Sequence, residues 1–307
     1  MSEIINMSIT NKCNFNCKHC VRDEKNFEEM DFNTFKRCLD FFDNIEQVNL
    51  TGGEILVHSQ LDLFLEELVK RNIKFSFVTN GFLLKRFDKI IKNYKKDIEK
   101  IGLSLESSNE KLNDFIRRKG SYKKVIQGLK LTKEYQIPTR IMFTINKLNY
   151  SEIFDMFLLS KKYNALLVTA PIRPTRSNKE MVMDESKFKN LNELILKISS
   201  LIKKGNWTLN WDVNFKNVLC RELCLIENVH AIDCYGNLRL CCDLFDSKNK
   251  KFDYYGNIKN NSYDSYMSIK RKKVQKMLKN FKKKNIKNGS FCSECYKTNM
   301  GGELFAL

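Results

Sequence analysis

Strand-like and helix-like runs alternate six times between residues 4 and 169, and that rhythm restricts the chain to a parallel sheet with covering helices. Ile4 to Thr10 reads as the first strand, and Phe32, Phe35, Leu39 and Phe42 recur after it at helical spacing. Val48 to Thr51, Phe75 to Thr79, Ile101 to Leu105, Arg140 to Ile145 and Leu166 to Thr169 read as the other strands. Helical patterns over 61–69, 83–94, 110–117, 122–135 and 151–163 separate them. Neighbouring parallel strands need crossovers of this kind, so the pattern predicts an α/β fold, a partial (β/α)6 TIM-like barrel. Met183 to Lys204 repeats apolar residues at helical spacing and reads as a bridging helix out of the barrel. This predicts a first domain over 1–204 and a second, cysteine-rich domain over 205–307.

The polar residues fall where such a fold places an active site, just after the carboxyl ends of its strands. Asn11 to Cys20 follows the first strand, Gly52-Gly53-Glu54 the second and Thr79-Asn80-Gly81 the third. Ser104-Leu105-Glu106 ends the fourth, Asn146 follows the fifth, and Pro171-Ile172-Arg173 follows the sixth. The first of these segments carries Cys13, Cys17 and Cys20 in a CxxxCxxC spacing. Three thiolates can hold three irons of a [4Fe–4S] cube and leave the fourth iron open for chemistry. A zinc knuckle lacking its fourth ligand is the plain alternative.

Composition narrows the setting. Of the 307 residues 42% are hydrophobic, yet no apolar run is long enough to cross a membrane. Met1 to Thr10 lacks the basic start and cleavage site of a signal peptide. The eleven cysteines are therefore expected in a reducing cytoplasm, binding metal rather than pairing as disulfides. A formal charge of +18 invites a nucleic-acid reading. The densest basic stretch, Lys270 to Lys284, interleaves Val274, Met277, Leu278 and Phe281 at helical spacing and reads as a solvated helix face, without the aromatic interleaving of single-strand binders.

These motifs together resemble the radical S-adenosylmethionine (SAM) enzymes. Cys13, Cys17 and Cys20 match the family's cluster motif, with His19 at its aromatic position. Gly52, Gly53 and Glu54 match the segment that binds the SAM amino group, although Ile55 stands where the family usually has Pro. The resemblance further implies that Ser104 and Glu106 contact the SAM ribose with Asn80 nearby, and that Arg140 meets the SAM carboxylate. Arg117 and Gly120-Ser121-Tyr122 resemble a scaffold stretch. A reductase or flavodoxin-type electron donor is implied as a partner.

Cys220, Cys224, Cys234, Cys241, Cys242, Cys292 and Cys295 crowd the second segment. Their spacing about Gly236 resembles the twitch domain, a shortened SPASM extension of radical SAM enzymes, and implies a second [4Fe–4S] cluster on Cys224, Cys241, Cys292 and Cys295. A hairpin at Tyr235-Gly236-Asn237 would fold Cys241 back toward Cys224. Cys220 also satisfies the spacing of the first ligand, and a structural zinc site could use the same sulfurs. Cys242, beside a proposed ligand, is either a packing residue or a hydrogen-atom donor of the kind found in radical SAM epimerases. The expected activity is epimerisation of a ribosomal peptide or related natural product. Oxidation or epimerisation of a sugar or cyclitol is the alternative, and an RNA-modifying enzyme a more distant one. Arg173, Arg176 and Asn178 are candidates to contact the substrate.

Overall fold

The structure, a computed structural model, describes residues 2–22, 27–173, 175, 177–184, 186–187, 189–191, 193–196, 229–239 and 254–283. Six strands alternate with helices through the first part: β1 (Glu3–Thr10), α1 (Phe32–Asp40), β2 (Ile45–Gly52), α2 (Leu61–Lys70), β3 (Lys74–Thr79), α3 (Leu84–Tyr94) and β4 (Ile98–Ser104). Next come α4 (Glu110–Ile116), α5 (Ser121–Glu134), β5 (Thr139–Ile145), α6 (Ile153–Lys162) and β6 (Leu166–Pro171). Strands β7 (Val229–Ile232), β8 (Asn237–Arg239) and β9 (Tyr254–Asn257) precede α7 (Tyr263–Lys283).

Local chemistry sets these boundaries. Asp31 caps α1 by accepting from the Thr34 backbone N–H at 2.9 Å, and Asn109 caps α4 by accepting from Lys111 and Leu112. Helices α2, α5 and α6 all end the same way, with Asn72, Gln136 and Asn164 at positive φ of 57, 56 and 52°. In each, the following N–H reaches back to the last turn: Ile73 to Leu68, Ile137 to Thr132, and Ala165 to Ser160. This left-handed closure reverses the chain into the next strand with its carbonyls satisfied.

The strands form one sheet in the order β6-β5-β4-β3-β2-β1-β7-β8-β9. Strands β1 to β6 are parallel, and β7 joins β1 in parallel with Ile4 opposite Val229. Strands β7, β8 and β9 run antiparallel to one another, so the expected hairpin at Gly236 is present. The cysteine-rich segment thus extends the first sheet where it is described; the expected boundary near residue 205 lies outside the described residues.

One face of the sheet supplies the core. Ile5, Met7, Val48, Leu50, Phe75, Phe77, Ile101, Leu103, Ile141 and Phe143 are buried in a single apolar cluster with residues of α1, α2, α3, α5 and α6. Phe35 of α1 stacks on Phe64 of α2 with ring centroids 4.0 Å apart. The other face, one residue out of phase along each strand, carries Asn6, Gln47, Asn49, Ser76, Lys100 and Arg140. A parallel sheet with polar residues on its second face suits closure around a lined interior, as in barrels.

A buried polar knot fastens α7 to the sheet. His230 Nε2 meets Glu3 Oε2, His230 Nδ1 lies 2.8 Å from the Tyr266 hydroxyl, and the Tyr263 hydroxyl donates to Glu3 Oε1 at 2.6 Å. Burial lowers the His230 pKa to about 4, the Lys270 ammonium adds to this, and Glu3 opposes it. The folded chain therefore refuses a proton that the unfolded chain takes up near pH 6.5, and stability falls as the pH drops from there toward 4. The full loss is about 3 kcal/mol. Thermal melts at pH 7 and pH 5 should show that fall in the wild type and a smaller one in His230→Gln.

Candidate active site

The site is assembled where two backbones touch. β2 ends at Gly52, and the two N–H groups that follow reach the end of β1 and the loop after it: Gly53 N donates to Thr10 O and Glu54 N to Lys12 O, both at 2.8 Å. Gly52 has φ +145°, and a Cβ there would collide with the Thr10 backbone; a Cβ on Gly53 would overlap the Lys12 carbonyl. Only glycines permit this approach. The Gly-Gly pair thus joins the Glu54 segment to the segment that carries the cysteines.

Glu54 is buried, and its carboxylate is held by three donors: Thr79 Oγ at 2.6 Å, Asn80 N at 2.6 Å and Leu56 N at 3.1 Å. Burial raises its pKa, with the Asn80 and Thr79 hydrogen bonds opposing. Asn80 continues the contact to the cysteine loop, its amide donating to Asn14 Oδ1 at 2.8 Å. Expected residues Gly52, Gly53, Glu54 and Asn80 are therefore gathered around Cys13–Cys20.

Helix α4 grips the loop from the other side. Lys18 N donates to Ile116 O at 2.9 Å, and Arg118 reaches Asn14 O at 2.7 Å while lying over the Phe82 ring. Phe15, buried at the loop's centre, meets Phe82 edge-on. Glu106, only 1% exposed, accepts from Arg117 Nη1 at 2.8 Å on one oxygen, with His19 Nε2 3.3 Å away, and from Thr144 N at 2.7 Å on the other. Both of its oxygens are thus bonded within the protein, in a network that ties β4, β5, α4 and the loop together. Burial lowers the His19 pKa, with Glu106 opposing and Arg117 assisting, which favours a neutral ring. His19 Nδ1 and Arg117 Nε are buried with no hydrogen-bond partner.

Cys13, Cys17 and Cys20 are half-buried free thiols on this loop. Phe15 N donates to Cys13 Sγ at 3.4 Å. Burial pushes the Cys17 thiol up to about 11; the Arg117 cation opposes, and charge on Cys20 and Cys13 adds to the rise, so the three sulfurs are electrostatic neighbours. Among the described residues no three His, Cys, Asp or Glu side chains converge at the spacing of a single metal ion. A cube presents separate irons to separate sulfurs. The trio fits a [4Fe–4S] cluster in donor type and number, with buried Glu54 beside it.

Ser104 stands where the sequence reading put it, whereas Arg140 and Asn178 do not. Ser104 lies at the end of β4, opposite Met142, at the same edge as the loop. Arg140 is not brought to that edge: it is the second residue of β5, opposite Gly102, because β5 already enters the sheet at Thr139. Asn178 is buried, its amide donating to the carbonyls of His19, Cys20 and Arg173, so it clasps the cysteine loop. Cys234, to which no role was assigned, follows β7 and is buried beside the site; Asn11 Nδ2 donates to its sulfur at 3.5 Å, and burial pushes its thiol up to about 12. Arg176, Cys220, Cys224, Cys241, Cys242, Cys292 and Cys295 lie outside the described residues. Among the described residues no helix is long and apolar enough to cross a membrane.

Relatives resemble part of this chain in sequence and most of it in fold. The antilisterial bacteriocin subtilosin biosynthesis protein AlbA of Bacillus subtilis (strain 168) is 32% identical over 154 residues, which are 48% of this chain and 34% of AlbA. A GTP 3',8-cyclase of Campylobacter curvus (strain 525.92) is 26% identical over 53% of each chain. This chain thus spans about half or less of these curated relatives' lengths. Streptococcus suis SuiB bound to precursor peptide SuiA superposes with a TM-score of 0.69 at 16% identity, over 87% of this chain and 65% of SuiB. Native anSMEcpe with bound AdoMet gives a TM-score of 0.69 at 14% identity, over 89% and 82%. At those identities the likeness is one of fold. Residues 7–159 match the Radical SAM superfamily, so the loop, the Gly-Gly-Glu junction and the strands that carry them form a radical SAM domain.

Proposed function

We propose that this chain is a cytoplasmic radical SAM enzyme that modifies a peptide or related natural product, with epimerisation as the reaction. The observation that carries the reading is the Gly-Gly junction, which fixes a three-cysteine loop against a buried carboxylate. Similarity to AlbA and the fold shared with peptide-bound SuiB support a peptide substrate.

Cys13, Cys17 and Cys20 would hold one [4Fe–4S] cluster, and Glu54 with the Gly52-Gly53 backbone would bind the SAM ammonium. When bound, cluster and SAM supply a 5′-deoxyadenosyl radical, which removes a hydrogen atom from an unactivated C–H. His19, Asn80, Ser104 and Glu106 flank the cofactor, Glu106 acting through Arg117 and His19 to hold the loop. The partial barrel and a twitch domain over 205–307 would exclude water from the reacting carbon. Cys224, Cys241, Cys292 and Cys295 would hold the auxiliary cluster. Cys242 would give its thiol hydrogen to the substrate radical from the opposite face, and the reductase or flavodoxin-type donor would return one electron as a proton is taken up.

The test substrate is a short precursor peptide sought among the open reading frames neighbouring the gene. In deuterated water, reduced enzyme with SAM should return a peptide carrying one deuterium at an inverted carbon, because a thiol exchanges its proton with solvent. Cys242→Ala should still form 5′-deoxyadenosine but not invert the residue. A product two hydrogens lighter, with no deuterium, would instead mean oxidation.

A further inference from the structure

We infer that the polar face of the sheet holds an oxyanion of the substrate, a carboxylate or a phosphate, between Lys100 and Arg140. This rests on the preceding reading for what carries the anion, and deepens it by naming the group recognised.

Strand register makes the polar residues of this face a continuous row. Asn6 of β1 lies opposite Asn49 of β2, Asn49 opposite Ser76 of β3, and Ser76 opposite Lys100 of β4. Side chains bond along it: Asn49 Nδ2 donates to Asn6 Oδ1 at 3.0 Å, and the Gln47 amide donates to Asn49 Oδ1 and, at 2.9 Å, to Ser76 Oγ. The amides and hydroxyl satisfy one another. The cations at the end of the row do not have that support. Arg140 stands on the neighbouring strand opposite Gly102, two residues along from Lys100, and both cations are half-buried. Neither forms an ion pair or hydrogen bond with a described residue, and Glu99, beside Lys100 in sequence, is exposed.

Two like charges held together in a half-buried site cost free energy unless an anion joins them. Burial, and then the Arg140 charge, lower the Lys100 pKa, while Glu99 opposes only as the smallest contribution. The guanidinium offers a planar fork that matches carboxylate or phosphate, and the ammonium adds a point charge beside it. Parallel strands place this pair below the edge that carries the cysteine loop, on the face a barrel would enclose. The half-buried side chains of Val78 and Met142 stand at Gly102 between that edge and the pair, so an acidic group of a substrate held at the edge reaches the cations past them.

Lysine footprinting tests the site directly. The reconstituted full chain is acetylated with an N-hydroxysuccinimide ester in sodium chloride, inorganic phosphate or glutarate at matched ionic strength, and Lys100 is read by peptide mass spectrometry. Lys100 labelling should fall several-fold in phosphate or glutarate relative to chloride, with the exposed Lys92 and Lys123 unchanged. Protection by glutarate alone would identify a carboxylate, and by phosphate alone a phosphate. Arg140→Gln should abolish the protection. Equal labelling in all three salts, or full protection retained in Arg140→Gln, would overturn the proposal; the wild-type comparison stands even if the variant fails to fold. SAM cleavage is assayed separately, so a chain that forms 5′-deoxyadenosine but shows no protection loses this site and keeps the enzymatic reading.

Discussion

Replacing Cys13, Cys17 and Cys20 together by Ala should abolish reductive cleavage of SAM and remove one cluster's iron from the anaerobically reconstituted protein. The three thiols lie on one loop that the rest of the fold holds from both sides, through Lys18 N on Ile116 O and Glu54 N on Lys12 O. Cys13 Sγ accepts the Phe15 backbone N–H, and the loop's aromatic anchor is Phe15 packed on Phe82. The variant should therefore fold, with a melting curve close to that of cluster-free wild type, while its 5′-deoxyadenosine falls to the level without enzyme. Iron retained at the wild-type amount would place the cluster elsewhere.

Gly53→Ala should be nearly as damaging, although it removes no ligand. Its Cβ would overlap the Lys12 carbonyl, a backbone atom that cannot rotate away, so the loops must part. Overpacking of this kind costs about 1–3 kcal/mol and more where the neighbour is rigid. Separation breaks the Gly53–Thr10 and Glu54–Lys12 hydrogen bonds together. Affinity for SAM, read by equilibrium titration, should fall at least tenfold, with cluster occupancy reduced as well. Gly128→Ala is the control. It lies within α5, and its Cβ would meet Leu103 side-chain carbons at 3.4 Å and a Phe87 ring carbon at 3.6 Å, ordinary contact distances, so SAM affinity should stay within about twofold.

The repeating part of this molecule was legible because its signals are local. Strand runs and apolar helical spacing mark β1 to β6 within a residue or a few of their ends, and CxxxCxxC and Gly-Gly-Glu each fall after a strand. The parallel pairing of β7 with β1 was not legible, since Ile4 and Val229 meet across most of the chain and no short pattern announces it. Asn178 reads as an exposed loop residue by composition, yet its amide finds three carbonyls only once β6 and the cysteine loop are side by side. Arg140 shows another limit: the sequence already put it at the start of its strand, yet a residue type suited to a carboxylate drew it to a ligand expected at the strand's other end. Glu106 was recognisable by its motif, but its partners Arg117 and His19 come from separate segments that only the fold unites.

The central claim is that the Cys13–Cys20 loop and Glu54 together make a site that reductively cleaves SAM. Reconstituted wild-type protein reduced with dithionite should convert SAM to 5′-deoxyadenosine and methionine in equal amounts, measured by liquid chromatography and mass spectrometry. SAM recovered intact, while electron paramagnetic resonance shows a reduced [4Fe–4S] cluster that SAM does not perturb, would contradict it.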